Sequence, residues 1–400
     1  MTVEIGIVGK PNVGKSTFFE AATMAGAEIA NYPFTTIKAN RGIAHVRSPC
    51  VCRELGVSCE PRNSVCIDGT RLVPIELLDV AGLVPDAHAG KGLGNQFLDD
   101  LRQAHALVHV VDISGSADAE GNPLGKGSHD PISDVAFLCR EIDHWFLNII
   151  MKDWTKISRT SESLHRKVEE LLADRVSGLG INIHHITDAV HHLGLDPSKP
   201  TGWKEEDLMS LAVTLRKRSK PMMIAGNKAD RLDCDELKQA SSRFGGELMV
   251  PTYSEMELAL RRADKAGLIS YMPGDPGFEV THPESLSEAQ KKGLIRIEEV
   301  MKERGPTNIQ TVLEKAAFEL LDLIVVYPVE DEHKYTDHDG KVLPDAFLVR
   351  RGTTARELAY KVHTDLGEKF VRAVDCRKDR AVAADHPLEN NDVIKIHAGR

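Results

Sequence analysis

Val3-Glu4-Ile5-Gly6-Ile7-Val8 running into Gly9-Lys10-Pro11-Asn12-Val13-Gly14-Lys15-Ser16 decides the architecture of this 400-residue chain. The first stretch reads as a short apolar strand, and the second is G-x-x-x-x-G-K-S. A strand, such a loop and a following helix bring successive backbone N–H groups and a helix N-terminus around an anion. Asn12, Val13, Gly14, Lys15, Ser16 and Thr17 are the expected phosphate-binding residues. Lys15 can reach the β- and γ-phosphates, and the Ser16 hydroxyl can ligate Mg²⁺. A fortuitous glycine-rich turn would explain neither the strand nor the spacing. The loop points to a nucleoside triphosphate and leaves the base open.

The composition is that of a globular protein, with 42% hydrophobic and 28% charged residues. Four hundred residues exceed one compact core, so two or three domains are expected. The net charge of −10 argues against a generally basic nucleic-acid coat. No apolar run reaches membrane-span length and no signal-peptide layout opens the chain, so no membrane partner and a cytoplasmic location are expected.

Apolar β-rich runs at Glu4–Val8, Leu72–Asp79, Ala106–Asp112, Pro221–Asn227 and Glu247–Pro251 alternate with helical segments, the signature of a mostly parallel α/β sheet. Between about Asp130 and Lys220 the alternation stops. Val135, Leu138, Ile142, Trp145 and Ile149 form one stripe of a long helix. A second helix is expected to begin at Leu164, after a polar break at Ser158–Ser163, with shorter ones at Asn182–Leu193 and Lys204–Lys217. This reads as a helical insertion built on an antiparallel pair. After Leu321, strands at Ile324–Tyr327, Ala346–Val349 and Val393–His397 surround a helix at Thr354–Asp365, a β-β-α-β layout that suggests a β-grasp. The expected domains are therefore an α/β nucleotide-binding domain at 1–130 and 218–320, a helical insertion at 131–217, and a β-grasp domain at 321–400.

Three further motifs follow strand ends, where ligands of open α/β sheets bind. Asp79-Val80-Ala81-Gly82 offers a carboxylate to the Mg²⁺ shell and a glycine N–H to the γ-phosphate. Asn31-Tyr32-Pro33-Phe34-Thr35-Thr36 holds a threonine, Thr35 or Thr36, that can ligate Mg²⁺ when triphosphate orders the loop. In Asn227-Lys228-Ala229-Asp230, Asp230 can accept hydrogen bonds from guanine N1–H and N2–H₂, which adenine lacks. A site with paired polar groups strongly rejects a base that leaves them unpaired. The Lys228 stem can cover the base, and Asn227 can tie this segment to the phosphate loop.

The ordered set resembles the translation-factor-related P-loop GTPases, and more closely the YchF branch of the Obg-like group in its archaeal form. The resemblance spans nearly the whole chain. It rests on Gly9–Ser16, Asn31–Ile37, Asp79–Leu83 continuing into Gly90-Lys91-Gly92-Leu93-Gly94-Asn95-Gln96-Phe97, and Tyr327-Pro328-Val329-Glu330. Lys361-Val362-His363-Thr364-Asp365-Leu366 looks like the helix of a TGS domain, the family's β-grasp module. The resemblance favours Thr36 over Thr35 and implies a ribosome or RNA partner.

This chain departs from the family in two places. Many relatives carry N-x-x-E and prefer ATP, whereas Lys228 and Asp230 favour GTP. The usual S-A element that meets the base through a backbone N–H reads Tyr253-Ser254, so Ser254 is the expected base contact. Leu83 stands where many GTPases have the glutamine that orients water, a substitution the resemblance also implies, so slow hydrolysis is expected. Asn12 either helps hold an activating K⁺ or is a polar loop residue. His88 is either a group that approaches the γ-phosphate or an exposed loop histidine.

Cys50, Cys52, Cys59 and Cys66 crowd one stretch. They read either as ligands of a tetrahedral Zn²⁺ or redox sensor, or as reduced thiols of a loop insertion. The leading expectation is a GTP/GDP switch with slow hydrolysis. The alternatives are an ATPase of the same family, a nucleotide-gated RNA-binding adaptor with incidental hydrolysis, and a cysteine-based sensor. The basic clusters Arg216-Lys217-Arg218 with Lys220, and Arg350-Arg351, are either RNA contacts or solvated faces.

Overall fold

The computed structural model describes residues 2–24, 40–80, 100–245 and 248–399. Thr36, Gly82, Leu83, His88 and the Gly90–Phe97 segment lie outside the described residues. The chain divides into two compact units, one of residues 4–18 and 78–256, the other of residues 1–3, 19–77 and 257–400. This division follows a different line from the expected domain boundaries.

In the first unit, strands Glu4–Val8, Ala106–Asp112, Met222–Asn227 and Met249–Pro251 are neighbours in that order and all parallel. Ala106–Asp112 is buried along its whole length, as expected of a strand covered on both faces. Gly6 allows close approach of the first two strands, because a Cβ there would meet Leu107 Cδ2 at 2.9 Å. Helix Lys15–Thr23 starts inside the phosphate loop.

Helices Pro131–Met151, Trp154–Leu164, Val168–Val176, Ile183–His192 and Glu205–Ser219 follow in the same unit. Asp130 caps the long helix through Ile132 N–H with Pro131 at its first position, and Asn182 forms a capping box with His185. Leu138, Ile142, Trp145 and Phe146 enter one core with Leu172, Ile186, Leu208 and Leu211. The expected break at Ser158–Ser163 is helical instead. Ser158 and Ser161 are buried, and their hydroxyls donate to Thr155 O (3.3 Å) and Arg166 O (2.7 Å). Polar residues therefore face inward without unpaired hydroxyls, and Trp154 stacks on Trp203 at 5.4 Å. The expected pair is a five-helix cluster.

In the second unit, a five-stranded sheet runs in the order Phe347–Arg350, Leu323–Val329, Asp392–Ala398, Phe370–Asp375, Arg380–Val382. Leu323–Val329 is antiparallel to the first of these and parallel to Asp392–Ala398. Ala355, Leu358 and Val362 of helix Ala355–Val362 pack on it. Two of these strands, Phe370–Asp375 and Arg380–Val382, were not expected from the sequence. The expected helix Thr354–Asp365 splits at His363, whose imidazole accepts from Asp365 N–H and starts a second short helix.

Candidate nucleotide-binding site

The site occupies the carboxyl ends of the parallel strands of the first unit. Gly14 adopts φ +92°, and a Cβ there would fall 2.3 Å from Asn227 Nδ2. Only glycine fits both the backbone and the space. Val13 is buried, while Ser16 is exposed at the start of the helix. Lys15 Nζ pairs with Asp79 Oδ1 and donates to Val80 O at 2.9 Å. The phosphate lysine and the candidate Mg²⁺ carboxylate thus lie side by side.

Asn227 is 3% exposed, and its Nδ2 donates to Val13 O at 2.8 Å. Its Oδ1 accepts from Ser254 Oγ at 2.8 Å and from Ser254 N–H at 3.3 Å. The backbone N–H of Ser254 is directed at Asn227, and the residue is 1% exposed, so it supports the asparagine.

Lys228 has left-handed backbone geometry (φ +59°), as does Asn12 (φ +62°). Such geometry is costly for a lysine and persists where surroundings impose it. Lys228 Nζ donates to Asn12 O and pairs with Asp112 Oδ2, both at 2.9 Å. Asp112 also accepts from Ser114 Oγ (2.5 Å) and Ser116 Oγ (2.7 Å). Burial opposes its ionisation, but the two serines and Lys228 outweigh burial and hold its carboxyl below the ordinary range. Asp230 is half-buried on the single turn Ala229–Arg231, and Arg231 reaches Ser116 at 3.2 Å.

The sequence reading missed the loop that follows Ala106–Asp112. Asn12 Nδ2 donates to Gly121 O at 2.9 Å, and Lys10 Nζ bonds Ala117 O (3.0 Å) and Asp134 (2.8 Å). The loop therefore braces the phosphate loop from outside. Asp118, accepting from the N–H groups of Glu120 and Asn122, was its sequence signal. His109 was also missed. It is 2% exposed, and burial, then the Lys10 charge, pushes its imidazole down to about 3.

Members of both basic clusters are paired within the fold. Arg216 pairs with Asp143 (2.8 Å) and Arg218 with Asp188 (2.9 Å), while buried Lys220 donates to the carbonyls of Arg102 and Ala104. Arg351 pairs with Asp322 at 2.9 Å.

In the other unit, the four thiols of Cys50, Cys52, Cys59 and Cys66 converge, all within 4.8 Å of one another. They do not titrate alike. Burial opposes ionisation of Cys50, but hydrogen bonds from Cys52 and the Arg71 charge hold its thiol below the ordinary value. Burial, then neighbouring thiols, push Cys52 up to about 11 and Cys66 higher still.

A phosphate-loop motif, a strand-end Asp79 and an N-K-x-D segment bonded to that loop are the marks of a P-loop GTP-binding protein, here with an inserted helical region and a β-grasp. Residues 4–138 match the family model described as 50S ribosome-binding GTPase, and residues 333–398 match the TGS domain. Residues 225–331 match the G4 motif-containing domain of YGR210-like Obg-like GTPases. An uncharacterized GTP-binding protein of Methanocaldococcus jannaschii is 52% identical over 393 residues, 98% of each chain. The ribosome-binding ATPase YchF of Buchnera aphidicola is 27% identical over 93% of this chain and 88% of its own. A GTP-binding protein from Pyrococcus horikoshii superposes with a TM-score of 0.79 at 39% identity, covering 99% of this chain and 100% of that one. The chain belongs to the YchF-like Obg-family GTPases. Among the described residues, no helix is long and apolar enough to cross a membrane.

Proposed function

We propose that this protein is a GTP-dependent switch with slow intrinsic hydrolysis that acts with the ribosome or RNA in the cytoplasm. The observation that carries this reading is the bond from Asn227 to Val13 O, with Lys228 held on Asn12 O. Base-reading and phosphate-binding segments form one hydrogen-bonded piece, so the base that fits Asp230 is coupled to the seating of its phosphates. The domains act as residues 1–130 with 218–320, 131–217 and 321–400.

Lys15 and Asp79 neutralise one another. A bound triphosphate would compete for Lys15, and Asp79 would then be available to a Mg²⁺ ion. Ser16 and Asp79, with Thr36, would hold Mg²⁺, which supplies charge neutralisation of the phosphates. Val13 to Thr17 and Gly82 provide phosphate contacts. With Leu83 in place of a glutamine, water is poorly oriented and turnover is slow. His88 is the remaining candidate for approaching the γ-phosphate. Asn12, whose amide nitrogen donates to Gly121 O, is the residue that would hold an activating K⁺.

The bacterial relatives' description as ribosome-binding supports the partner. Their description as ATPases favours a second reading, in which this chain also prefers ATP. Asp230 argues against it. Asp230→Asn should weaken GTP and favour xanthosine triphosphate, whose base offers a carbonyl where guanine has N2–H₂. Unchanged GTP affinity in equilibrium titration would show that Asp230 does not read the base.

A further inference from the structure

We propose that Cys50, Cys52, Cys59 and Cys66 form a tetrahedral, structural Zn²⁺ site that fastens their loop to the β-grasp segment of the same unit. The ligands come from separate local elements. Cys50 follows strand Arg41–Pro49, Cys52 opens the short helix Cys52–Leu55, Cys59 lies in the loop beyond it, and Cys66 sits in strand Val65–Ile67. The fold nevertheless gathers all four sulfurs at one point. Cys50 Sγ lies 3.9 Å from Cys59 Sγ, and Cys52 Sγ lies 3.9 Å from Cys66 Sγ. A tetrahedron with Zn–S bonds of about 2.3 Å has sulfur–sulfur edges of about 3.8 Å.

Thiols packed merely as small apolar groups would have apolar neighbours. Here two polar neighbours carry unsatisfied atoms. Arg71, paired in register with Cys66, is fully buried. Its Nη2 donates to Leu343 O at 2.7 Å, but Nε and Nη1 have no hydrogen-bond partner among the described residues. Its guanidinium lies 5.5 Å from the Tyr327 ring centroid. The buried Tyr327 hydroxyl, on the ring beside that guanidinium, also lacks a geometric hydrogen-bond partner among the described residues.

A buried cation without a counter-charge is strongly unfavourable. Four thiolates around Zn²⁺ carry a net charge of −2, which supplies that counter-charge. Their sulfurs also accept from donors such as Arg71 and Tyr327, as outer-shell groups of metal sites commonly donate to ligand atoms. With four protein ligands, two of them buried, the site is closed and therefore structural.

The loop so fixed carries a row of contacts. Glu60 and Arg62 N–H donate to Val342 O (2.8 Å) and Pro344 O (2.7 Å). Asn63 exchanges two bonds with Ala346, at 2.9 and 3.1 Å. Metal binding at the thiols holds this seat for the segment Val342–Ala346.

The test uses full-length protein prepared under reducing, chelator-free conditions. Elemental analysis should find one zinc per chain. Replacement by Co²⁺ should give the visible absorption of a tetrahedral thiolate site. Cys59→Ser and Cys66→Ser should lose the metal, and Cys139→Ser should keep it. Tyr327→Phe should weaken retention against a competing chelator by about 10- to 100-fold. Wild-type protein without zinc and without a cobalt–thiolate spectrum overturns the proposal, as does pairing of the four cysteines as disulfides. Both wild-type readings stand even if a serine variant fails to fold.

Discussion

Replacing Asn227 by alanine removes the joint between the segments proposed to read the base and to hold the phosphates. The side chain makes three buried hydrogen bonds, one to Val13 O and two from Ser254. At about 1 kcal/mol net each, their loss costs about 3 kcal/mol. Val13 O and the Ser254 groups, left in a buried site, add to this. If all of that cost falls on the seating of the phosphate loop, GTP affinity drops by about 100-fold. Asn227→Asp separates the contributions. It keeps an acceptor for Ser254 but turns a carboxylate oxygen toward Val13 O, so it should impair binding with less disturbance around Ser254. Denaturant unfolding and GTP titration on both variants give the two numbers. An alanine variant with wild-type stability and wild-type GTP affinity would refute the coupling.

Gly14→Ala forces a side chain onto a left-handed backbone and against Asn227 Nδ2. A loss of GTP affinity of about 100-fold or more, with far-UV circular dichroism unchanged, is expected. Asn12→Ala should abolish any K⁺ stimulation of GTP turnover, and equal stimulation in the variant would exclude Asn12 as the cation ligand. His109 is neutral in the folded state well below its ordinary pKa of 6.5. As pH falls from 6.5 toward about 3, the unfolded chain takes up a proton that the native state refuses, so stability decreases at about 1.4 kcal/mol per pH unit. His45, lowered to about 4 by burial and then by the Arg261 charge, acts in the same direction. Denaturant midpoints across that range should flatten in His109→Gln, and an unchanged slope would contradict the assignment.

The strand–loop–helix frame of the candidate site was legible because its motifs impose local backbone demands. Gly14 and the strand-end Asp79 stand where the motifs put them, while the left-handed backbone of Asn12 emerged only in the structure. The bonds joining Asn227 to the phosphate loop bridge more than 200 residues, yet the residue types already suggested them. The support that Ser254 gives Asn227 was not legible, because sequence position does not reveal where its N–H points. The polar helix Trp154–Leu164 was missed because Ser158 and Ser161 satisfy their hydroxyls on nearby carbonyls, which hydrophobic periodicity does not register. Strand Phe370–Asp375 was hidden by exposed Val371 and Arg372, which blur its alternation. The spacing of the cysteines left their arrangement open, since convergence depends on how strands Arg41–Pro49 and Val65–Ile67 are placed.

The central claim is that Asp230 and its hydrogen-bonded support select guanine. A side-by-side equilibrium titration of the wild-type protein with GTP and ATP, in Mg²⁺ and with nonhydrolysable analogues as controls, tests it most directly. The account predicts clearly tighter GTP binding. Equal or tighter binding of ATP would contradict it.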